Sequence, residues 1–172
     1  VIKQMLKIST ILDKSIKSVG ETAAWLNGIL IVVIVGQVVL RYAFEKGLVT
    51  LEELQWHLYA VGIMLGMSYC VVRDSHIRLD LLHSRFSRPK KEVVELLGIV
   101  FLLIPIVILV MMHSVPYVTE AYRLGERSDS PVGLPYRFII KAFIPVGFGL
   151  LGLAGLSRMI RASLFLTNKS RK

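Results

Sequence analysis

The stretch from Val93 to Val115 reads VVELLGIVFLLIPIVILVMMHSV. A helix needs about 20 predominantly apolar residues to cross a bilayer, and this stretch is long enough. Because backbone groups in lipid must form their hydrogen bonds internally, we expect it to be a transmembrane helix. Three more apolar segments, at about 22–42, 54–72 and 138–156, approach the same length. The sequence therefore predicts a single all-α membrane domain over residues 1–172 with four transmembrane helices.

Basic residues are distributed unevenly around these four spans. The N-terminal region, the connection between the second and third spans and the C-terminal region together contain 15 Lys and Arg, whereas the two other connections and the adjoining span ends contain 6. Lys and Arg concentrate on the cytoplasmic side of membrane proteins. We therefore predict that both termini are cytoplasmic, and that the net charge of +9 reflects topology and lipid contact rather than nucleic-acid binding.

Residues 1–19 have the pattern of an amphipathic helix. Their lysines fall on one helical face, opposite aliphatic residues. Such a helix lies in the membrane interface; the alternative is a flexible basic tail. The residues predicted to contact lipid headgroups are Lys3, Lys7, Lys14 and Lys17.

The connections between the spans differ in length and character. The first periplasmic loop is short, and Thr50 and Glu53 have capping-box spacing, so Thr50 is predicted to cap the second span. The cytoplasmic connection, 73–91, contains an amphipathic segment predicted to lie along the inner surface. Residues 116–137 form the longest periplasmic connection and are rich in turn residues. Pro105, within the third span, predicts a kink.

Glycines in two spans predict close helix packing. Small residues at helical spacing let a second helix approach closely in a membrane. The predicted packing positions are Gly62 and Gly66 in the second span, and Gly149, Gly152 and Gly155 in the fourth.

The middle of the predicted membrane region contains no ionisable group. Carriers that move ions or carboxylates themselves normally place such groups there, so the chain is predicted to be a scaffold subunit with a larger membrane partner. The four histidines keep open an alternative, a haem-binding cytochrome-like anchor of a redox enzyme. His57 and His113 lie near outer helix ends, but His76 and His83 fall outside the spans, so the ligand geometry suits a haem only partly.

Short pieces of sequence, in a fixed order, resemble the small four-helix membrane subunit (DctQ-like) of tripartite ATP-independent periplasmic (TRAP) transporters. The pieces are Leu40-Arg41-Tyr42, Leu51-Glu52-Glu53-Leu54, Gly66, Arg73, His76-Ile77-Arg78-Leu79-Asp80, Ser128, Gly133-Leu134-Pro135 and Ile144-Pro145-Val146-Gly147-Phe148. The resemblance covers nearly the whole chain.

The resemblance implies a subunit of a sodium-coupled importer of small organic carboxylates in the bacterial inner membrane. It would bind a large elevator-type membrane subunit, which holds the substrate and sodium sites, and a periplasmic substrate-binding protein. The small subunit would hold no cofactor or metal and would not be an enzyme.

The resemblance also implies roles for individual residues. Arg41 and Glu53 match the family pattern and are expected to pair across the first loop, or one of them touches the binding protein; Thr50 and Glu52 belong to the same motif. His76 and Asp80 are expected to hold the inner surface segment in place. Exposed periplasmic residues are candidates for docking the binding protein, the alternative being a self-capped turn. These candidates are Glu53, Glu126, Arg127, Ser128 and Asp129.

Overall fold

The computed structural model describes residues 2–74 and 86–169, and every regular element in these two ranges is helical. The helices are α1 (Ile2–Ala43), α2 (Val49–Arg73), α3 (Arg88–Arg123) and α4 (Arg137–Lys169). Residues 44–48 connect α1 to α2, and residues 124–136 connect α3 to α4. The prediction of an all-α protein is confirmed for the described residues. His76, Asp80 and the predicted amphipathic segment around them lie outside these residues.

Three helices have the length and apolar composition of a membrane span. They are Lys3–Ala43, Arg88–Arg123 and Arg137–Thr167. The fourth helix, α2, covers the predicted second span with 25 residues, but its apolar sequence is interrupted by Gln55, His57 and Ser68. Its composition therefore does not by itself mark α2 as a span, although its length of about 37 Å at 1.5 Å per residue would suffice.

The first helix is longer than the sequence predicts. We expected an interfacial helix over 1–19 and a separate span from about residue 22, but α1 runs without a break for 42 residues. Its N-terminal half contacts the far end of α4, where Ser9 is buried against Ser157. α4 is long enough to reach the N-terminal residues of α1, which the periodicity of the sequence had assigned to the membrane surface. Packing against α4 therefore favours a continuation of α1 over a separate interfacial helix.

The third helix also extends past its predicted end. α3 continues to Arg123, so the connection to α4 is 124–136 and not 116–137. Pro116 lies inside the helix. Beyond this proline, Ala121 is buried and the Tyr117 ring lies 3.9 Å from Nζ of Lys141 in α4. Tertiary contacts with α4 therefore hold the helix together across a residue that usually ends one.

An irregular turn stands where we predicted a kink. The chain forms a π-helical turn at Ile99–Leu103, directly before the α-helical segment that contains Pro105. Proline has no N–H, so the carbonyl of Phe101 lacks its usual i+4 donor. A short π turn is a known way to accommodate such an irregularity.

The fourth helix is the centre of the arrangement. α4 contacts α1, α2 and α3, and α1 also packs along α2. Between α1, α2 and α4 lies a small core in which Ala23, Val61 and Leu65 are buried, with Ile140 and Phe143 of α4 packed against them. α3 makes its main contacts in the described chain with α4. The helices therefore form an open group rather than a closed four-helix bundle.

Glycines of α4 permit its close contacts with two neighbours. A Cβ added at Gly152 would lie 3.1 Å from Cγ1 of Val107, and one at Gly155 would lie 2.8 Å from a methyl carbon of Leu103. Both neighbours are in α3. Gly147, which was not among the predicted packing positions, approaches α2 so closely that a Cβ would lie 2.8 Å from the Met64 carbonyl oxygen.

The other glycines predicted to pack lie in open space. A Cβ at Gly66 or Gly149 would have no neighbouring atom within 4 Å, and one at Gly62 would meet only Oδ1 of Asn27 at 3.7 Å. No helix of the described chain therefore fills the space beside Gly66 or Gly149, whereas α1 lies in ordinary contact distance of Gly62.

Gly147 and Gly149 allow a matched test of this packing. Alanine is favoured over glycine in a helix by about 1 kcal/mol. We expect Gly149→Ala to leave the melting temperature unchanged or raise it, and Gly147→Ala to lower the free energy of unfolding by about 1–3 kcal/mol through overpacking against the α2 backbone. Thermal unfolding in mild detergent measures both. Equal stability of the two variants would contradict the close contact of Gly147 with α2.

Candidate docking surface

The connection between α3 and α4 folds onto the beginning of α2. The Thr50 hydroxyl donates a hydrogen bond to the Val132 carbonyl at 2.7 Å. The Leu134 amide donates to Oε2 of Glu53 at 2.6 Å, and the Ser128 hydroxyl donates to Oε1 of the same carboxylate. Side chains from the first turn of α2 therefore hold residues 124–136, which we call the outer loop.

Hydrogen bonds within the outer loop give it a defined shape. The Ser128 amide donates to the Leu134 carbonyl at 3.3 Å, and the Gly133 amide donates to the Ser130 carbonyl at 3.0 Å. A Cβ at Gly133 would collide with the Ser128 side chain and lie 2.8 Å from Oε1 of Glu53. Only glycine fits there without displacing the bonded Glu53 and Ser128 side chains.

The electrostatics of Glu53 follow from its partners. Hydrogen bonds from the Ser128 hydroxyl and then from the Leu134 amide hold the pKa of Glu53 below its ordinary value of 4.5. Both donors favour the ionised carboxylate. Glu53 therefore remains charged while it holds the loop at neutral pH.

Two predictions about the first turn of α2 are wrong. The helix begins at Val49 with Leu48 at the N-cap and no capping side chain, so Thr50 and Glu53 do not form a capping box. Arg41 lies 3.9 Å from Glu52 rather than pairing with Glu53. The physical reason is that the outer loop, distant in sequence, offers Thr50 and Glu53 better partners.

Glu52 has a partner on its other side as well. Nε2 of Gln37, which is buried, donates to Oε1 of Glu52 and to the Leu48 carbonyl, each at 3.3 Å. Arg41 and Glu52 are themselves largely exposed. An exposed ion pair adds little stability, so the buried amide is the stronger link between α1 and the start of α2.

A second group of charges holds the outer loop to α4. Glu126 forms an ion pair with Lys141 and lies 4.0 Å from Arg137. Arg137 also lies 3.5 Å from Asp129. The Lys141 ammonium lies over the Tyr117 ring of α3, a favourable cation–π position. Lys141 therefore joins α3, α4 and the outer loop.

The docking candidates therefore divide into two classes. Glu53, Ser128 and Glu126 are engaged in contacts within the chain, as a self-capped turn would require. Arg127 is exposed, and the Asp129 side chain is 98% exposed despite its contact with Arg137. Only the second class presents charged groups for another protein to contact. Exposed apolar side chains of the same loop are Leu124, Val132 and Tyr136.

The opposite end of the helices contains polar contacts that sequence reasoning missed. The hydroxyls of Ser9 and Ser157 lie 2.7 Å apart and are fully buried. The Ser157 hydroxyl donates to Asp13 at 2.6 Å, and Arg161 pairs with Asp13 and donates to Ser9 at 2.9 Å. Each helix contributes two residues at i, i+4 spacing, which is the one signal that could have pointed to this cluster.

A further pair at the same end joins α3 to α4. The Arg158 guanidinium donates two hydrogen bonds to the Glu95 carboxylate, at 2.7 and 2.6 Å, and lies 3.1 Å from Glu92. This bidentate geometry is the strong form of the Arg–carboxylate contact. The predicted headgroup residues lie near this end: Lys3, Lys7 and Lys14 are exposed, and Lys17 lies 3.6 Å from Glu21.

The histidines behind the haem alternative do not form a ligand pair in the described structure. His57 lines an apolar cavity of about 320 Å³ beside Leu134 and Phe143. The Nδ1 atom of His113 lies 2.8 Å from the Leu109 carbonyl oxygen, within hydrogen-bond distance. His76 and His83 fall outside the described residues, and the ranges 2–74 and 86–169 contain no group of three residues that could hold a metal.

Comparison with known families gives one match. Residues 30–164 match the family described as tripartite ATP-independent periplasmic transporters, DctQ component. The match includes all of α2 and α3, most of α4, the outer loop and the C-terminal third of α1. No curated protein and no solved structure matches the chain. The resemblance drawn from the sequence motifs is confirmed, and the match lends no support to the haem-binding alternative.

Removing the Glu53 carboxylate should release the outer loop. We expect Glu53→Ala to increase deuterium exchange at the Leu134 amide several-fold, because that amide loses its acceptor. Glu52→Ala, at the next residue, is the matched control and should leave exchange in the outer loop unchanged. Hydrogen exchange with mass spectrometry measures both, and unaltered exchange in Glu53→Ala would show that the carboxylate does not hold the loop.

The same contact should depend on pH in a defined direction. Since the folded-state pKa of Glu53 lies below 4.5, its contribution to stability is fully present above that value and is lost as pH falls through the lower folded-state pKa. We expect the NMR shift of the Leu134 amide to titrate with a midpoint below 4.5, and Glu53→Gln to abolish the titration. A midpoint at or above 4.5 would contradict the hydrogen-bonded carboxylate.

Proposed function

The chain belongs to the DctQ family, the small membrane subunits of TRAP transporters, and from this premise we propose that it is the scaffold and docking subunit of a sodium-coupled importer of small organic carboxylates. The family consists of transporter components and not of enzymes. The family match over residues 30–164 is the observation that carries the proposal. The importer would combine this chain with a large membrane subunit and a periplasmic substrate-binding protein.

In this proposal α2 crosses the bacterial inner membrane together with the three more apolar helices. Both termini are cytoplasmic and the outer loop is periplasmic. The supporting observations are the excess of Lys and Arg in the terminal regions and the contact of Ser9 with Ser157, which brings the N-terminal part of α1 and the C-terminal part of α4 together. The exposed Lys3, Lys7 and Lys14 then face the lipid headgroups of the inner leaflet.

The scaffold role is supported by where the charged side chains lie. Lys141 and Glu126 pair at the loop end of α4, and Arg158 pairs with Glu95 near its other end. The apolar middle of each helix is left without an ionisable pathway for sodium or a carboxylate. The transported species would therefore bind in the large subunit, with the small subunit enlarging the fixed part of the membrane complex.

The docking role is supported by the geometry of the outer loop. Glu53 and Thr50 fix the loop from one side and Lys141 fixes it from the other, so the exposed Arg127 and Asp129 are presented on a preorganised segment. A preorganised loop loses little conformational entropy on binding. Charges at the rim of an interface mainly steer association.

Reversing the exposed charges tests the docking role. We expect the double variant Arg127→Glu, Asp129→Lys to slow substrate uptake by about tenfold at low salt, and by less at high salt, because rim charges act on the association rate and are screened. Uptake into proteoliposomes that contain the membrane complex and the binding protein measures the effect. Glu120→Lys, exposed on α3 outside the loop, is the control.

The outcome separates docking from assembly. Recovery of the large subunit with the double variant should equal that of the unaltered chain. Unchanged uptake at both salt concentrations would remove the outer loop from the docking surface, whereas loss of the large subunit would show that the loop acts in assembly instead.

A further inference from the structure

A groove runs between α1 and α2 on the side facing away from α4. It encloses about 440 Å³. Its lining contains small residues of both helices, namely Gly20 and Ala24 of α1 and Gly62, Gly66 and Cys70 of α2, together with the larger Glu21, Trp25 and Tyr69. The core that α1 and α2 share with α4 lies on the other side, at Val61 and Leu65, and Ala23 borders both the core and the groove. The groove is therefore a second face of this helix pair.

The Tyr69 side chain fills the groove at Gly20, but the groove is open beside Gly66. An added Cβ at Gly66 would meet no atom within 4 Å, and Ala24 and the Trp25 ring beside it are exposed. Between Gly20 and Asn27 the groove follows α1 for two turns, about 10 Å at 1.5 Å per residue. Two antiparallel helices with small facing residues leave room for the backbone of a third helix to approach closely.

An amide side chain distinguishes this groove from the other outward faces. Asn27 is exposed, its Oδ1 lies level with Gly62 near the middle of the predicted second span, and it makes no hydrogen bond in the described part of the chain. Lipid chains offer neither donors nor acceptors, so an amide at this depth is costly without a partner. Sequence reasoning overlooked Asn27, because a single Asn does not interrupt the apolar pattern.

The outward face of α3 shows the contrast. Between Val93 and Met112 its exposed residues are all apolar, as at Phe101, Ile108, Leu109 and Met112. Lipid tails satisfy such a surface completely, so it gives no reason to expect a protein neighbour. The groove at Asn27 combines a shape that suits a helix with a chemical group that lipid cannot satisfy.

We propose that this groove is the seat of a transmembrane helix of the large membrane subunit, which packs on Gly62 and Gly66 and hydrogen-bonds Asn27 through a polar side chain or a free backbone carbonyl. This inference rests on the proposed function, which supplies a membrane partner. The inference adds which face of the chain the partner contacts. It also adds which side chain fixes the depth of the partner helix in the membrane.

Site-specific crosslinking tests the contact in the assembled complex. The photoreactive residue p-benzoylphenylalanine would replace Gly66 in the groove or, as a control, Gly36 of α1, which also lies in open space but is turned half a revolution from Asn27. Both chains would be co-expressed with the large subunit. We expect an adduct to the large subunit from position 66 and none from position 36. An adduct only to lipid, or only to a second copy of this chain, would overturn the proposal.

Substitutions test the energetics of the same contact. We expect Gly66→Leu and Asn27→Leu each to reduce recovery of the large subunit in mild detergent by about tenfold. For Asn27→Leu this corresponds to the upper range of the free energy of one interhelical hydrogen bond, and for Gly66→Leu the cause is the loss of close packing. Gly36→Leu is the matched control. Thermal unfolding of each variant alone checks that the small subunit still folds, as the open space at Gly66 predicts.

The results distinguish this inference from the proposed function. If the unaltered chain fails to recover the large subunit, the proposed function fails. If the unaltered chain and both groove variants recover it equally, the scaffold role stands and the groove is excluded as the contact.

Discussion

The contact of α4 with each of the other three helices is the feature on which the rest of the structure depends. In its apolar middle, Gly147 admits the backbone of α2, and Gly152 and Gly155 admit side chains of α3. Because lipid provides no hydrophobic drive between helices, such close packing is what can hold them together. Near the two ends of α4, Lys141 and Arg158 pair with carboxylates of the outer loop and of α3.

The polar contacts that join the helices lie on both sides of the apolar middle of the structure. The outer loop is joined to α2 through Glu53 and to α4 through Lys141, while the opposite end is joined through Asp13 and Arg158. The side chains of the Lys141–Glu126 and Arg158–Glu95 pairs are at most 30% exposed, so loss of one partner would leave a poorly solvated charge, which is strongly destabilising. The result is an apolar body with a defined surface at each end, which suits the proposed scaffold role.

The arrangement also supports the proposal that this chain packs against a neighbour. α3 makes its main described contacts with α4, and α1 and α2 leave a groove beside Asn27 open on the side away from the core. In a membrane subunit whose packing was complete within its own chain, an amide exposed at that depth would be costly because lipid offers it no hydrogen-bond partner. In the proposed complex, the open groove would serve a contact within the bilayer and the preorganised outer loop a contact outside it.

The sequence by itself determined the all-α class, the approximate places of the apolar segments and the family, because apolar length and short motifs are local properties of a chain. It did not determine the ends of α1 and α3 or the partners of Glu53, since these depend on residues far away in the chain. Capping-box spacing at Thr50 and Glu53 indicated a local bond, but Val132, Ser128 and Leu134 provided better partners. Tertiary structure alone decided which charges remain exposed, because a carboxylate is available to another protein only where no neighbour within the fold has already engaged it.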